Sequence, residues 1–397
     1  MNKNNSLTAI GLFSGCGGLD LGASSAGFEL VGAYDKDSIS VETYRRNVSQ
    51  NVECLDLSGE DVAHIPRSVD LLLGGPPCQG FSSAGPKDPS DERNRLWQAY
   101  ARVLAHVRPK AFVLENVWGF LRDYDAFSEA LVDKLNDEYM FEYRKINTRF
   151  YGVPQHRLRL FVVGVRRDTA ETVPWPEPVI PEFWGWKEMP SGFVSMRSAL
   201  EDLGPAKAAS NLALRGWGNP HEFVPLEPSH ARIAPHIPNG GSLRSIPDEY
   251  LPPNYKGRER TNRGWPWYYR KPDPSLSART VTAALGPCYS QILAPDVVAV
   301  RTEAGWVWET VAPEEHTAAD GLYTSPVPPR RLSVRECARL QGFPDDFEFF
   351  GTTPEKHRQI GNAVPVPFAE ALCSAIADTL NGSIISEKLQ AGSGGTG

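Results

Sequence analysis

The chain has 397 residues, of which 41% are hydrophobic and 22% are charged, and its formal net charge is −7. This length exceeds what one hydrophobic core usually supports and the composition excludes wholesale disorder, so we expect two folded domains. The negative charge argues against a protein that coats nucleic acid along its whole surface. No run approaches the roughly 20 apolar residues of a membrane helix, so no membrane partner is expected.

Residues 1–167 alternate short apolar runs with longer amphipathic segments. Several runs are apolar nearly throughout, as in strands buried on both faces, and they predict strands at 7–13, 28–34, 69–75, 110–116 and 159–165. The segments between them predict helices at 38–48, 93–107 and 126–138. This alternation predicts an α/β fold with a doubly wound, mostly parallel sheet, whose ligands bind beyond the carboxyl ends of the strands.

The pattern changes after Arg167. Residues 168–328 are rich in proline, tryptophan and glycine without a persistent helical pattern, which predicts a second, smaller and irregular domain. A helix is predicted within 331–344, where Ser333 and Glu336 form a capping box and Gly342 ends the helix. A last helix is predicted at 365–380, so that 329–385 returns to the first domain, and 386–397 is expected to be a flexible tail.

The first candidate site follows the first strand, in FSGCGGLDLG. Gly15, Gly17 and Gly18 let the backbone approach a ligand closely, and they open a helix whose N-terminus favours negative charge. Asp20 stands where a dinucleotide-binding fingerprint has its third glycine, which disfavours NAD and favours another adenine-containing ligand. Asp35, just past the second strand, is placed to accept hydrogen bonds from ribose hydroxyls.

The second candidate is Cys78, in LLLGGPPCQGFS at the end of the third predicted strand. Pro76 and Pro77 fix the backbone there, so the thiol is expected beside the ligand crevice rather than in the core. This context favours a nucleophile, whereas the other cysteines are expected to be small apolar fillers. The six cysteines include no CxxC pair and no cluster at zinc spacing, so we expect no metal.

Glu115 ends the next predicted strand, in LENV. Neighbouring strands lie about 5 Å apart, so Glu115 and Cys78 can meet at one small substrate, and a thiol beside a carboxylate indicates covalent addition assisted by an acid. The alternative for Glu115 is a helix cap or an ion-pair partner. In QHRLRLFVVG, Arg157 and Arg159 share one side of an extended segment with Gln155 and suit a phosphate or a polar ring edge, the alternative being a solvated strand edge.

With these stretches in view, the sequence resembles the DNA cytosine-5 methyltransferase family. Six blocks occur in the family's order: FSGCGGLDLG, GGPPCQGFS, ENV, QHRLR, RLSVRECARLQGFP and QIGNAVPVPFAEAL. The resemblance implies a Rossmann-like, class I fold that binds S-adenosylmethionine through residues 1–167, and a target-recognition domain over 168–328. It further implies sequence-specific methylation of cytosine C5 in double-stranded DNA, in the setting of a restriction–modification system.

Carried over by residue, the resemblance implies that Phe13 stacks near the adenine, that Asp35 binds the ribose hydroxyls and that Asp56 binds the adenine amino group. The implied cofactor site also contains Gly15, Gly17, Gly18, Lys36, Pro76, Asn362 and Val364. Lys36 occupies a position where many relatives have an aromatic ring. Cys78 is the implied nucleophile, and the other implied catalytic residues are Glu115, Arg157 and Arg159.

The implied chemistry begins with addition of the Cys78 thiolate to C6 of cytosine, which makes C5 an enamine-like donor. Glu115 would stabilise charge on the ring in its protonated form, which requires a raised pKa in a dry site. A thiol cannot reach C6 within a stacked duplex, so the nucleotide must be flipped out. The implied DNA contacts are Gln79, Ser82, Arg93, Arg258, Arg260 and Arg263. The last three interleave with aromatic residues, which equally fit the small core of a loop-rich domain.

Three other functions stay open on the sequence alone: the same chemistry on transfer RNA, a catalytically silent DNA-binding homologue and an NAD-dependent oxidoreductase. The long segment 168–328 favours a reader of duplex DNA over an RNA enzyme. The broken glycine fingerprint disfavours the oxidoreductase. We also expect a monomer in the bacterial cytoplasm or nucleoid, for which a companion restriction endonuclease is a possible partner.

Overall fold

The computed structural model describes residues 6–59, 61–77, 96–122, 124–135, 137–182, 190–203, 206–209, 211–226, 234, 237–242, 245–246, 270–283, 291–293, 297–302, 305–310 and 330–393. The chain forms two compact units, the first made of 1–152, 157–182 and 363–397, and the second of 153–156 and 183–362. The bounds of these units differ from the expected domain boundaries at 167/168 and 328/329. Residues 168–182 belong to the first unit, and residues 329–362 belong to the second.

The strands of the described residues are β1 Thr8–Leu12, β2 Glu29–Asp35, β3 Val52–Cys54, β4 Leu71–Gly74, β5 Ala111–Asn116, β6 Tyr139–Asn147, β7 Gln155–His156, β8 Leu158–Arg166, β9 Lys207–Ala208, β10 Glu222–Phe223, β11 Ala278–Arg279, β12 Ile292–Leu293, β13 Val297–Thr302, β14 Gly305–Thr310 and β15 Arg330–Arg331. The α-helices are α1 Gly18–Ser25, α2 Ser38–Asn47, α3 Leu96–Val107, α4 Tyr124–Leu135, α5 Met196–Leu200, α6 Val334–Leu340, α7 Thr353–Asn362 and α8 Val366–Ser393.

A seven-stranded sheet in the order β3-β2-β1-β4-β5-β8-β6 forms the centre of the first unit. Strands β1 to β5 pair in parallel, whereas β8 runs antiparallel to both β5 and β6. From β1 the chain builds outward to β2 and β3 on one side, and then to β4 and β5 on the other. The strand order therefore reverses between β1 and β4, the place where ligands bind in such sheets. The predicted α/β class with a mostly parallel sheet is confirmed.

Both faces of this sheet are covered. Leu160 and Val162 of β8 belong to a core that α3 and α4 complete with Trp97 and Phe127. Side chains alternate along a strand, so Phe161 lies on the opposite face, where its ring centroid is 4.6 Å from that of Phe368 in α8. Helices on both faces explain why the strands read as apolar runs with little alternation.

The structure extends or adds elements that the sequence pattern did not predict. The edge strand β6 has exposed residues along its middle, so it lacks the apolar run of a buried strand. Helix α7 was not predicted, since its sequence TPEKHRQIGN is largely polar. Helix α8 begins as predicted but continues to Ser393, beyond 380, so 386–393 of the expected tail is helical.

In the second unit, the described strands pair as β9 with β10, β11 with β7, β12 with β15 and β13 with β14. Most are only two residues long, which fits the expected irregular domain. The predicted capping box of α6 is present: Ser333 Oγ accepts a hydrogen bond from the Glu336 amide, and the Glu336 carboxylate accepts one from the Ser333 amide. Gly342 has a φ of 75°, in the left-handed region that glycine favours after a helix.

Within the residues that the structure describes, one helical stretch, Thr353–Gly382, is long and apolar enough to cross a membrane by length and composition. The buried share of its most apolar window is 61%, and the α-helical assignment is interrupted between Asn362 and Val366. Buried helices in the core of a globular protein have the same composition.

Candidate active site

The loop that connects β1 to α1, here called the glycine loop (Phe13–Gly18), adopts an unusual backbone conformation. Phe13, Gly15 and Gly17 have φ values of 53°, 55° and 95°. A Cβ atom added to Gly15 would have no heavy atom within 4 Å, so the backbone is open to a ligand at this residue. A Cβ added to Gly17 would instead lie 2.7 Å from Val48 Cγ2, so this glycine serves the packing of the loop.

Asp35 ends β2 beside the glycine loop. Its Oδ2 atom accepts a hydrogen bond of 2.8 Å from the Gly15 amide, and its Oδ1 atom accepts one of 2.8 Å from the Asp37 amide. Burial raises the pKa of the Asp35 carboxyl, and the two amide bonds offset part of this shift. Each carboxylate oxygen retains acceptor capacity for a second donor such as a hydroxyl group.

Lys36 and Asp56 continue this edge of the sheet. They form a loose ion pair, with Lys36 Nζ 3.9 Å from Asp56 Oδ2, and both side chains are exposed. Hydrogen bonds from Ser58 lower the pKa of Asp56, so its carboxylate is ionised at neutral pH. Because β3 pairs with β2 at Asp35, these charged groups and Asp35 lie at adjacent strand ends.

The C-terminal segment reaches the same loop within the first unit. A Cβ atom added to Gly18 would lie 2.5 Å from the carbonyl oxygen of Val364, so the two backbones are in close contact. Val364 itself is buried. Asn362, the other candidate of this segment, is the last residue of α7 in the second unit and is exposed.

A second group of candidates lies at the ends of β4 and β5, which pair in parallel up to Gly74 and Leu114. The Asn116 side-chain amide donates a buried hydrogen bond of 3.2 Å to the carbonyl of Pro76, and its oxygen accepts one from the Val117 amide. A Cβ atom on Gly75 would lie 3.3 Å from Glu115 Oε2. The chain that leads to position 78 is therefore tied to the strand end that carries Glu115.

Glu115 lies in a dry environment beside two guanidinium groups. Arg159 Nε is 3.2 Å from Glu115 Oε1, and both side chains are largely buried. Burial raises the pKa of Glu115, and the charges of Arg159 and Arg157 offset part of this shift. Burial also lowers the pKa of Arg157, whose side chain is almost inaccessible, and the neighbouring Arg159 adds to this effect. The site thus combines a carboxyl group that binds a proton readily with two donors for a planar ligand.

The family profile described as C-5 cytosine-specific DNA methylase matches residues 7–378. The chain belongs to this family. It is a DNA (cytosine-5)-methyltransferase, as its sequence motifs implied. The type II methyltransferase M.NgoFVII of Neisseria gonorrhoeae is 32% identical over 98% of this chain and 92% of its own length. The type II methyltransferase M.FnuDI of Fusobacterium nucleatum is also 32% identical, over 94% of each chain.

Two solved structures share the fold of this methyltransferase. A putative DNA modification methyltransferase encoded within an E. coli prophage has a TM-score of 0.58 at 24% identity, covering 95% of this chain and 100% of that one. The S. pombe Dnmt2 methyltransferase has a TM-score of 0.56 at 17% identity, covering 94% and 99%. At these identities the likeness concerns the fold alone.

Several candidates of the methyltransferase lie outside the described residues. They are the expected nucleophile Cys78 and the expected DNA contacts Gln79, Ser82, Arg93, Arg258, Arg260 and Arg263. Among the other cysteines, Cys16, Cys337 and Cys373 are buried as expected of small apolar fillers. Cys54 is exposed, so that interpretation is wrong for Cys54.

Sequence reasoning placed Gln155 beside Arg157 and Arg159, but the structure gives it another set of contacts. Its Nε2 atom donates to the Leu340 carbonyl and to Gln341 Oε1, while its Oε1 atom accepts from the Val281 amide, all within the second unit. Conversely, the sequence reasoning missed Asn116. Its position directly after Glu115, at the end of a strand predicted to be buried, was the available signal, since a buried amide requires partners.

Proposed function

We propose that this methyltransferase is the modification enzyme of a type II restriction–modification system, with S-adenosylmethionine as the methyl donor and duplex DNA as the substrate. The observation that carries the chemical part is the buried Glu115–Arg159 pair at the end of β5, beside the chain that leads to Cys78. The setting is supported by near full-length relatives that are themselves type II methyltransferases.

The glycine loop and its neighbours fit S-adenosylmethionine. The open backbone at Gly15 admits the close approach of a ligand, and Asp35 retains acceptor capacity for the ribose hydroxyls. In this proposal Phe13 contacts the adenine, Asp56 its amino group, and Lys36 the adjacent edge. The rest of the proposed cofactor site is Gly17, Gly18, Pro76, Asn362 and Val364. When bound, the cofactor supplies an electrophilic methyl group, and no metal is required.

Cys78, which follows β4, and Glu115 in β5 activate the cytosine. The Cys78 thiolate forms a bond to C6, and the electron pair of the C5–C6 double bond moves into the ring, where a proton from Glu115 at N3 neutralises it. C5 would thereby become nucleophilic enough to take the methyl group that bound S-adenosylmethionine supplies, with S-adenosylhomocysteine as the leaving group. A base then removes the C5 proton, the thiolate leaves C6 as the C5–C6 double bond is restored, and the N3 proton returns to Glu115. Arg159 and Arg157 hold the cytosine and the carboxyl group in position, and burial raises the pKa of Glu115, which favours its protonated form.

The DNA must present an extruded cytosine to this site. We assign contacts with the phosphates and bases to Gln79, Ser82, Arg93, Arg258, Arg260 and Arg263. The protein would act as a monomer on DNA in the bacterial cytoplasm, and a restriction endonuclease that cuts the same sequence would be its companion.

The decisive assay offers radiolabelled S-adenosylmethionine together with either duplex DNA or transfer RNA, and then digests the product to nucleosides. We expect label in 5-methyldeoxycytidine from duplex DNA only. Label in N4-methyldeoxycytidine or N6-methyldeoxyadenosine, or label confined to transfer RNA, would contradict the proposal. The RNA arm separates this function from the alternative in which the same chemistry acts on transfer RNA.

The restriction–modification setting needs a separate test. The gene is expressed in a bacterial host without cytosine methylases, and the genome is sequenced for 5-methylcytosine. A modification enzyme should methylate one short sequence nearly completely and leave other cytosines untouched. Methylation scattered over unrelated sequences would contradict a type II modification role.

A further inference from the structure

Asp20 is a buried carboxylate in the first turn of α1, outside the proposed catalytic residues. Its side chain is only 1% exposed. Its Oδ1 atom accepts hydrogen bonds of 3.1 Å from Ser14 Oγ and of 3.1 Å from Tyr44 Oη. Within the described part of the chain its Oδ2 atom has no hydrogen-bond partner, and no cation pairs with the carboxylate. These two hydrogen bonds compensate only part of the cost of burying a carboxylate that no cation of the described residues pairs with, which calls for a function.

The fold leaves a gap for this carboxylate. A Cβ atom added to Gly11 in β1 would lie 1.8 Å from Asp20 Oδ1 and 2.3 Å from Ser14 Oγ. Any larger residue at position 11 would therefore displace the Asp20–Ser14 hydrogen bond. Because Tyr44 belongs to α2, the carboxylate connects β1, the glycine loop, α1 and α2 at one point.

Ser14 links Asp20 to the glycine loop. Its amide donates to the carbonyl of Tyr34, and its carbonyl accepts a hydrogen bond of 2.9 Å from the Gly17 amide. Ser14 lies between Phe13 and Gly15, which both have positive φ values. A non-glycine residue such as Phe13 holds this conformation only when neighbouring contacts enforce it. The bond from Ser14 Oγ to Asp20 is one such contact, and the bond from the Gly15 amide to Asp35 is another.

We propose that Asp20 is a positioning residue for the cofactor: through Ser14 it holds the glycine loop in the conformation that exposes the Gly15 backbone to S-adenosylmethionine. The inference rests on the proposed cofactor site. Burial raises the pKa of Asp20 to about 6, and the bonds from Ser14 and Tyr44 offset part of the shift. The carboxylate is therefore mainly ionised at neutral pH, and an ionised acceptor makes a stronger hydrogen bond than a neutral one.

The test compares Asp20→Ala, Asp20→Asn and Ser14→Ala with the wild type in the full-length protein. The dissociation constant of S-adenosylmethionine is measured by calorimetry, and KM and kcat by methyl transfer. Loss of a hydrogen bond to a charged group is expected to weaken binding about tenfold in Asp20→Ala and Ser14→Ala, with kcat at saturating cofactor nearly unchanged. Asp20→Asn keeps an acceptor at the same place and should restore affinity to within about threefold of the wild type.

Asp70 provides a matched control. Its carboxylate accepts a hydrogen bond of 2.7 Å from the Thr8 amide at the amino end of the same sheet and pairs with Lys110. Asp70→Ala should lower the unfolding midpoint and leave cofactor affinity unchanged, as expected of a purely structural carboxylate.

The outcomes separate this inference from the proposed function. Wild-type affinity in Asp20→Ala would overturn the positioning role, as would wild-type affinity in Ser14→Ala. Ser14→Ala changes a loop residue outside the core, so it tests the proposal even if Asp20→Ala fails to fold. Absence of binding by the wild type would overturn the proposed cofactor, and the positioning role with it.

Discussion

At the scale of single residues, opposing influences act on the pKa of Glu115, the proposed acid. Burial raises its pKa, whereas the charges of Arg159, at 3.2 Å, and of Arg157 lower it. Glu115 forms the ion pair that was the structural alternative to a catalytic role. In the proposed function the same Glu115–Arg159 pair also takes part in catalysis. An acid that must be protonated to act loses activity as the pH rises through its pKa.

Arg159→Gln should therefore change the pH dependence as well as the rate. Removing the nearby cation raises the pKa of Glu115 further, so the basic limb of the rate profile should move to higher pH. The maximal rate should fall about a hundredfold because the cytosine also loses the guanidinium of Arg159 as a hydrogen-bond donor. Single-turnover methyl transfer across a pH series measures both effects.

Arg166→Gln is the control for this variant, since Arg166 ends the same strand but pairs with Asp168. Its rate profile should match that of the wild type. An Arg159→Gln variant with an unshifted basic limb would show that Glu115 is not the titrating acid.

At the scale of elements, helix α6 combines a predicted cap with a buried ion pair. Glu336 is fully buried, and both of its oxygens accept hydrogen bonds of 2.7 Å from Arg330. Burial alone would raise the pKa of Glu336, but the hydrogen bonds and charge of Arg330 outweigh it, so the pKa is lowered. A lowered pKa stabilises the fold above the pKa of the unfolded chain, and this contribution is lost as the pH falls through the folded value.

Glu336→Gln should destabilise the protein at neutral pH by about 3–5 kcal/mol, because the Arg330 charge remains buried without its partner. Urea unfolding measures this loss. The variant should also lack the part of the acid destabilisation below about pH 4.5 that Glu336 contributes in the wild type. Equal acid sensitivity of the two proteins would refute this assignment.

The contact between α1 and α8 explains how the C-terminal helix joins the first unit. A Cβ atom on Gly22 would lie 2.4 Å from the Ala369 Cβ and 2.6 Å from the Ala369 carbonyl carbon, so the helices touch without an intervening side chain. Gly22→Ala should force them apart and cost about 1–3 kcal/mol. Gly382→Ala lies in α8, where a Cβ meets no atom within 4 Å, and should be neutral or stabilising. Thermal unfolding of both variants checks the contrast, and equal midpoints would contradict it.

The same elements show what the sequence could predict. Strands buried on both faces, such as β4 and β5, carry unbroken apolar runs and were placed within two residues of their observed ends. The edge strand β6 carries no such run, because water covers its middle. The candidate site residues could be predicted where they lie in a short contiguous motif, as Glu115 does in ENV. Asp20 was interpreted only as a break in a fingerprint, since its partner Tyr44 and the gap at Gly11 arise from tertiary packing.

At the scale of the whole molecule, the net charge of −7 means that DNA binding depends on local basic groups rather than on a general positive field. Affinity should fall steeply with salt, by at least about tenfold between roughly 50 and 200 mM, because bound phosphates release counterions. Fluorescence anisotropy with a short labelled duplex measures this slope. An affinity independent of salt would contradict binding through a basic face.

A duplex that contains 5-fluorocytosine tests whether Cys78 bonds to C6 of an extruded cytosine. Fluorine cannot be removed as a proton, so the methylated adduct cannot resolve and the protein stays attached to the DNA. We expect a denaturant-stable complex whose proteolytic peptide carries the nucleotide on Cys78, and none with Cys78→Ala, which should still bind DNA. A stable complex formed by Cys78→Ala, or one attached through another residue, would contradict the account.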